Sequence, residues 1–188
     1  MTDHYHVLLD CKNNYINRLN KILQTPILDK LYSIYNQCKH LSLKNNNETL
    51  ILKHFQKDLV MISKWDNTII TEELSNICNT NNINWLDELL KAVFISNNKI
   101  INLIHNESVV NIEIPNTKLF IHTLYTNIAR DIWKNPYLFY HKYNPSVIIN
   151  NETTIRKIIL QNILDAIEYF LPIENVVKTL ESSLKKNK

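Results

Sequence analysis

Apolar side chains recur at every third or fourth position along most of the chain, with polar residues between them. This spacing places them on one face of an α-helix and is typical of amphipathic helices that pack around a shared core. The clearest stripes are Leu52, Phe55, Leu59 and Ile62; Leu86, Leu89, Leu90, Val93 and Phe94; Phe120, Ile121, Leu124, Tyr125, Ile128 and Ile132; and Ile155, Ile158, Ile159, Ile163 and Ile167. We therefore predict a mainly α, single-domain helical bundle that spans residues 1–188.

Short polar signals mark where the predicted helices begin. A hydroxyl, amide or carboxyl side chain just before a helix accepts hydrogen bonds from its first N–H groups, and proline fits the first helical position. By these rules we predict helix starts at Thr25-Pro26, Asn47, Thr71, Thr117 and Asn151. Glu72 and Glu73 then lie in a first helical turn, where negative charge is favourable and aids solubility.

One segment departs from the helical pattern, because Val110, Ile112 and Ile114 alternate with polar residues. Alternation predicts a β-strand at residues 109–114, and a strand needs a partner for its backbone hydrogen bonds. Residues 146–149 or a neighbouring molecule could supply that partner. The bundle is therefore expected to contain at most one short β-strand pair.

Charge is distributed unevenly between the body of the chain and its end. The formal net charge is +3, from 21 basic and 18 acidic residues, and the whole excess lies in residues 178–188. We predict a basic C-terminal tail there and, because the apolar pattern is weak, a loosely attached N-terminal segment at residues 1–24. The balanced body disfavours nucleic-acid binding through a broad basic face.

The composition excludes several classes of enzyme, because the chain contains no glycine. Phosphate-binding loops, dinucleotide-binding turns and the nucleophile elbow of serine hydrolases all depend on glycine backbone. No nucleophile with a paired base is legible in the sequence. The nearest approach to a metal-ligand set is His4 and His6 with Cys11, which lacks a second cluster nearby and does not predict a zinc site. We expect no catalytic residues, no metal and no cofactor.

Cysteine usage and the hydropathy pattern indicate the compartment. Cys11, Cys38 and Cys78 are an odd and widely spaced set, which favours reduced thiols over a disulfide framework. The first ten residues lack the basic and apolar regions of a secretory signal, and no run of about 20 apolar residues could span a bilayer. We expect a soluble, intracellular protein without a transmembrane segment.

The densest cluster of aromatic and cationic residues lies at positions 130–143, at the end of a helix that Asn135-Pro136 terminates and in the segment after it. Such a cluster is compatible with a helix and turn packed into the core, with a protein interface, or with stacking on single-stranded bases. We take the protein interface as the working hypothesis. Its candidate binding residues are Arg130, Trp133, Tyr137, Tyr140 and His141.

A set of short stretches distributed over the chain carries a family resemblance. They are FQKDL at 55–59, KWD at 64–66, WLDELL at 85–90, AVFIS at 92–96, IP at 114–115, FIH at 120–122, AR at 129–130, WKNPYLF at 133–139, and residues 163–174. In combination they resemble an uncharacterised protein family of nucleocytoplasmic large DNA viruses, the giant-virus lineage. The chain departs from that pattern at Asn97-Asn98, where relatives tend to have histidine and threonine, and at Pro136, where others often have valine.

The resemblance implies a viral protein of the host cytoplasm (the viral factory) that is also a candidate component of the virion, and it supplies no catalytic motif. We therefore expect a non-enzymatic viral structural or assembly protein whose partners are other viral proteins or further copies of itself. The alternatives are a nucleic-acid-binding accessory protein, which would use the lysine tail, and a modulator of host signalling.

Overall fold

The computed structural model describes residues 2–104 and 112–172, and their backbone is almost entirely helical. Six α-helices follow one another along these ranges: α1 (Thr2–Lys44), α2 (Ile51–Met61), α3 (Asn67–Asn81), α4 (Leu86–Ile104), α5 (Thr117–Lys134) and α6 (Pro145–Tyr169). Three short 3-10 turns lie between them, at Glu48–Leu50, Ile62–Lys64 and Pro136–Phe139. The predicted mainly α, single-domain bundle is confirmed.

Helix α1 is the element around which the others are arranged. Its 43 residues extend for about 65 Å at the usual helical rise. It packs against α2, α3, α4 and α6, while α5 packs against α2, α3 and α6. Buried side chains from all six helices form one hydrophobic core. Its largest fully buried side chains include Tyr35, Phe55, Phe94, Phe120 and Tyr125.

The prediction that a helix begins at Thr25-Pro26 is wrong, because α1 runs through Pro26 without a break. Proline has no N–H, so the carbonyl of Ile22, four residues earlier, loses its usual helical donor. The side chain of Asn81, at the end of α3, supplies the missing donor: its Nδ2 lies 3.0 Å from the Ile22 oxygen. A hydrogen bond from a distant helix thus allows proline inside α1.

Helix starts were predicted too late in three places. The observed caps are Asp66 instead of Thr71, Asn116 instead of Thr117, and Asn144 instead of Asn151. Each cap accepts hydrogen bonds from backbone N–H groups of its first turn, whereas Asn47 makes no such bond. The first turns of α3 and α6 carry adjacent β-branched residues, Ile69 and Ile70 in α3 and Val147 and Ile148 in α6. Such a pair favours a strand and does not show the helical spacing by itself.

The proposed pairing of a strand with residues 146–149 is wrong. Those residues lie in the first turns of α6, where helical hydrogen bonds use their backbone. Within the described ranges there is no strand, and residues 112–116 are irregular. Ile112 and Ile114 pack against the core, which accounts for their alternation with polar residues. Val110 lies outside the described residues.

The two predicted terminal segments differ in what the structure describes of them. Leu19, Ile22 and Leu23, near the end of the N-terminal segment, are buried and belong to the core of the bundle. The C-terminal tail at 178–188 lies outside the described residues. None of the helices in the described part of the chain combines the length and apolar character needed to cross a membrane.

Candidate protein-interaction surface

The five candidate residues lie at the C-terminal end of α5 and in the turns that follow it. Arg130 is exposed, and the exposed fractions of Trp133 and Tyr137 are 46% and 59%. Tyr140 and His141 are partly buried. The structure therefore presents three of the five predicted residues openly to solvent.

The exposure of Tyr137 follows from the turn at Pro136–Phe139. Pro136, Leu138 and Phe139 face the core, so the side chain between Pro136 and Leu138 points outward. The ring of Phe139 is anchored between the aromatic rings of Tyr32 and Phe55, each with its centroid 4.9 Å away. Packing on the inner side of the turn thus holds Tyr137 on the surface, and the predicted turn through Phe139 is confirmed.

Two grooves lie along the outer side of α2, and each contains two or more candidate residues. The first, which we call the basic groove, has a volume of about 650 Å³ and is lined by Glu48, Thr49, Ile51, Leu52, Lys53, Gln56, Lys134, Pro136, Tyr137, Tyr140 and Lys142. The second, the tryptophan groove, has a volume of about 230 Å³ and is lined by Leu59, Val60, Ser63, Thr126, Ala129, Arg130 and Trp133. The structure therefore brings Tyr137 together with Tyr140, and Arg130 together with Trp133.

A hydrogen bond between α2 and α5 joins a residue of the basic groove to a residue of the tryptophan groove. Nε2 of Gln56, which lines the basic groove, donates to the backbone carbonyl of Trp133 at 2.9 Å. Trp133 lines the tryptophan groove, so this bond fixes the two linings to each other. We treat the two grooves as adjoining parts of one surface.

The basic groove contains three lysines and a single carboxylate among its lining residues. Lys142 Nζ lies 2.6 Å from Glu48 Oε1. This hydrogen-bonded pair lowers the pKa of Glu48 and raises the pKa of Lys142. Lys134 pairs with Asp131 at 2.8 Å, whereas Lys53 has no ion-pair partner among the described residues. The groove therefore carries a net positive charge at neutral pH.

His141 faces the protein interior more than the grooves. Its Nδ1 lies 2.8 Å from Tyr35 Oη, and its backbone N–H donates to the same oxygen at 3.4 Å. Burial, and then the charge of Lys39, lowers the pKa of the His141 imidazole. A neutral ring can accept the Tyr35 O–H at Nδ1. The structure thus places His141 as the group that ties the chain after the turn to α1.

A polar cluster that sequence reasoning missed lies inside the bundle. Glu73, predicted as an exposed first-turn acid, is only 3% exposed and is ion-paired with Lys30 of α1. Tyr125 Oη of α5 donates to Glu73 Oε2 at 3.2 Å, and burial raises the pKa of Tyr125 well above its ordinary value. The Lys30 ammonium also lies 5.5 Å from the centroid of the Trp65 ring. The cluster links α1, α3 and α5, whose residues are far apart in sequence.

Metal-ligating side chains do not gather in the part of the chain that the structure describes. No group of three or more His, Cys, Asp or Glu residues there could hold a metal ion. Cys11 is half-buried in α1, and the side chain of His4 lies outside the described set. The described residues therefore contain no candidate metal-binding site in addition to the two grooves.

The chain was compared with known families and proteins. Residues 5–140 match the sequence model of a family described as a "Family of unknown function (DUF5764)", so the match covers well over half of the chain. Arg130, Trp133, Tyr137 and Tyr140 lie within the matched range, and His141 is the first residue after it. No curated protein and no solved structure matches the chain.

Proposed function

We propose that this chain, which belongs to the DUF5764 family of unknown function, is a non-enzymatic structural or assembly protein of a nucleocytoplasmic large DNA virus. It acts by binding another viral protein, or a further copy of itself, through the surface formed by the two grooves. Its place of action is the viral factory in the host cytoplasm, and the assembled particle. The observation that carries the proposal is the joint exposure of Trp133 and Tyr137 beside these grooves.

Exposed tryptophan, tyrosine and arginine are the side chains most enriched at the energetic centres of protein interfaces. A whole aromatic side chain buries about 150–250 Å². With 46% of Trp133 and 59% of Tyr137 still exposed, about 200 Å² of largely apolar surface is available to a partner, and its burial is worth roughly 5 kcal/mol before the costs of association. Two side chains could thus supply a large part of a micromolar affinity, which requires about 8 kcal/mol.

The viral assignment rests on the sequence stretches that resemble a family of large DNA viruses. Several of them meet at the proposed surface: residues 55–59 belong to α2, and residues 129–130 and 133–139 form the end of α5 and the turn after it. Three of the nine stretches that carry the resemblance therefore contribute residues to the groove linings. This coincidence favours a role in which the surface is the working part of the protein.

A site-specific photo-crosslinking experiment tests the proposal. A photoreactive amino acid replaces Tyr137, or Tyr169 as a control, because Tyr169 is also exposed (74%) but lies at the end of α6 and lines neither groove. Each variant is produced in infected cells, and the crosslinked species from purified particles are identified by mass spectrometry. We expect a discrete viral protein crosslinked from position 137 and not from position 169. Absence of the chain from particles, or equal crosslinking from both positions, would contradict the proposal.

A double substitution tests whether the aromatic side chains provide the affinity. Trp133→Ala with Tyr137→Ala should abolish capture of the crosslinked partner and leave the circular dichroism spectrum unchanged, since both side chains are half-exposed. Tyr169→Ala serves as the matched control and should retain the partner. Unfolding of the double variant would instead show that the two aromatic residues act as part of the core.

A further inference from the structure

We propose that the basic groove and the tryptophan groove together bind an extended, acidic peptide segment of the partner protein. This inference rests on the proposed function, because it specifies the chemistry of the partner at the same surface. It is carried by the charge of the basic groove and by its position next to an exposed apolar surface on α2.

The charge of the basic groove is complementary to a short acidic segment. Lys53 has no ion-pair partner among the described residues. The side chains of Lys134 and Lys142 pair with carboxylates but remain 64% and 51% exposed. Ion pairs this exposed contribute little by themselves, so a carboxylate of a partner can share these lysines at small cost. Two or three acidic side chains can therefore be accommodated.

The length of the surface suits an extended chain of a few residues. Lys53 lines the basic groove and Ser63 lines the tryptophan groove, and the residues between them belong to α2 and the 3-10 turn that follows. This separation of ten positions corresponds to roughly 15 Å along a helix axis. An extended peptide covers that distance with about five residues. The segment would place its acids over the lysines and its other end over the tryptophan groove.

The tryptophan groove selects an apolar side chain at that other end. Val60 and Trp133, which line it, are 51% and 46% exposed. The exposed guanidinium of Arg130 lies in the same lining and can pair with one more carboxylate. We therefore expect the segment to combine acidic residues with at least one large apolar residue.

A nucleic acid fits the same surface less well, although it is also acidic and also contacts aromatic side chains. Glu48 and Asp131 lie beside two of the three lysines and would repel a phosphate backbone. A nucleic acid gains its affinity from many phosphate contacts along a continuous basic path. An acidic peptide needs only a few carboxylates, which can be spaced to avoid the two acids.

Selection of peptides from a random library tests the inference even while the partner protein is unidentified. Octapeptides displayed on phage are selected against the full chain and against two double variants. Lys53→Glu with Lys142→Glu reverses the charge of the groove. Lys99→Glu with Lys157→Glu is the matched control, because both lysines lie outside the two groove linings and keep access to solvent. Circular dichroism verifies that each variant is folded.

We expect the selected peptides to be enriched in Asp and Glu with one large apolar residue. The enriched peptides should bind the groove variant at least tenfold more weakly, since two attractive pairs become repulsive, and should bind the control variant within about twofold of the original chain. Selected peptides without acidic residues, equal binding to both variants, or no enrichment at all would overturn the inference. A fluorescein-labelled octamer of deoxythymidine provides the nucleic-acid comparison, and tighter binding of that probe with the same lysine dependence would also overturn it.

The two proposals can fail separately. A viral partner crosslinked from position 137, together with no acidic peptides in the selection, would retain the assembly role and reject the acidic segment. Acidic peptides that depend on Lys53 and Lys142, together with no crosslink in particles, would retain the binding chemistry and reject the assembly role.

Discussion

Replacing Asn81 by alanine should reveal how the bundle accommodates a proline inside its longest helix. Asn81 Nδ2 donates to the carbonyl of Ile22 at 3.0 Å and to the carbonyl of Ile77 at 2.8 Å. The Ile77 oxygen has a second donor in the backbone N–H of its own helix, four residues on. The Ile22 oxygen has no such second donor, because residue 26 is proline.

The expected cost follows from that difference. A polar group left without a partner away from water costs about 1–3 kcal/mol, and alanine returns about 0.5 kcal/mol through its higher helix propensity. Asn81→Ala should therefore destabilise the chain by about 1–2 kcal/mol. With Pro26→Ala already present, the N–H of the new alanine bonds the Ile22 carbonyl, and Asn81→Ala should then cost about 0.5 kcal/mol or less.

A double-mutant cycle measures this coupling directly. The original chain, the two single variants and the double variant are unfolded in urea and followed by far-ultraviolet circular dichroism. Asn76→Ala is the matched control, because Asn76 is an exposed residue of the same helix. We expect a coupling energy of about 1–2 kcal/mol between positions 26 and 81 and none between 26 and 76. Equal costs of Asn81→Ala in both backgrounds would refute the argument that Asn81 replaces the missing helical donor.

Further predictions concern Lys30, His141 and Cys38. Lys30→Ala leaves the buried Glu73 carboxylate without its ion-pair partner and should cost about 3 kcal/mol in urea unfolding, whereas Lys21→Ala on an exposed face of the same helix should cost less than about 0.5 kcal/mol. Burial and then the charge of Lys39 lower the pKa of His141 in the folded chain. The unfolded chain therefore takes up a proton at this imidazole at a higher pH than the folded chain does. Stability should therefore fall as the pH drops below about 6.5, and His141→Gln should reduce that dependence; an unchanged pH profile would contradict the assignment. Burial, with a hydrogen bond to the Asp58 carboxylate, raises the pKa of Cys38 to about 12. Ellman's reagent at pH 8 should therefore modify this thiol only after denaturant is added. Rapid modification of all three thiols in the folded chain would contradict this expectation.

Much of the fold was predictable because its helices are marked by local patterns. In α5, six apolar residues at helical spacing form the stripe, and all of them are buried. The segment after it was equally legible, because Asn135-Pro136 both ends a helix and begins a turn. Signals of this kind depend only on neighbours in sequence.

The features that were missed depend on residues far apart in sequence. Glu73 and Lys30 are separated by 43 positions, and nothing around either residue indicates burial or a partner. The continuation of α1 through Pro26 was missed for the same reason, since its compensating donor lies in α3. A local rule that treats proline as a helix start or a helix break is overridden when another helix supplies the hydrogen bond.

The candidate surface combines both kinds of information. Its aromatic wall was predicted because Trp133 and Tyr137 lie close together in sequence, at the end of one helix and in the turn after it. Its opposite wall, which includes Lys53 and Val60 of α2, was not predicted, because only the packing of α2 against α5 brings it there. The positive charge of the basic groove arises because this packing brings Lys53 of α2 close to Lys134 and Lys142. A chain whose body has a balanced overall charge can therefore carry a locally basic groove, so its net charge alone does not indicate the acidic segment that we propose as a ligand.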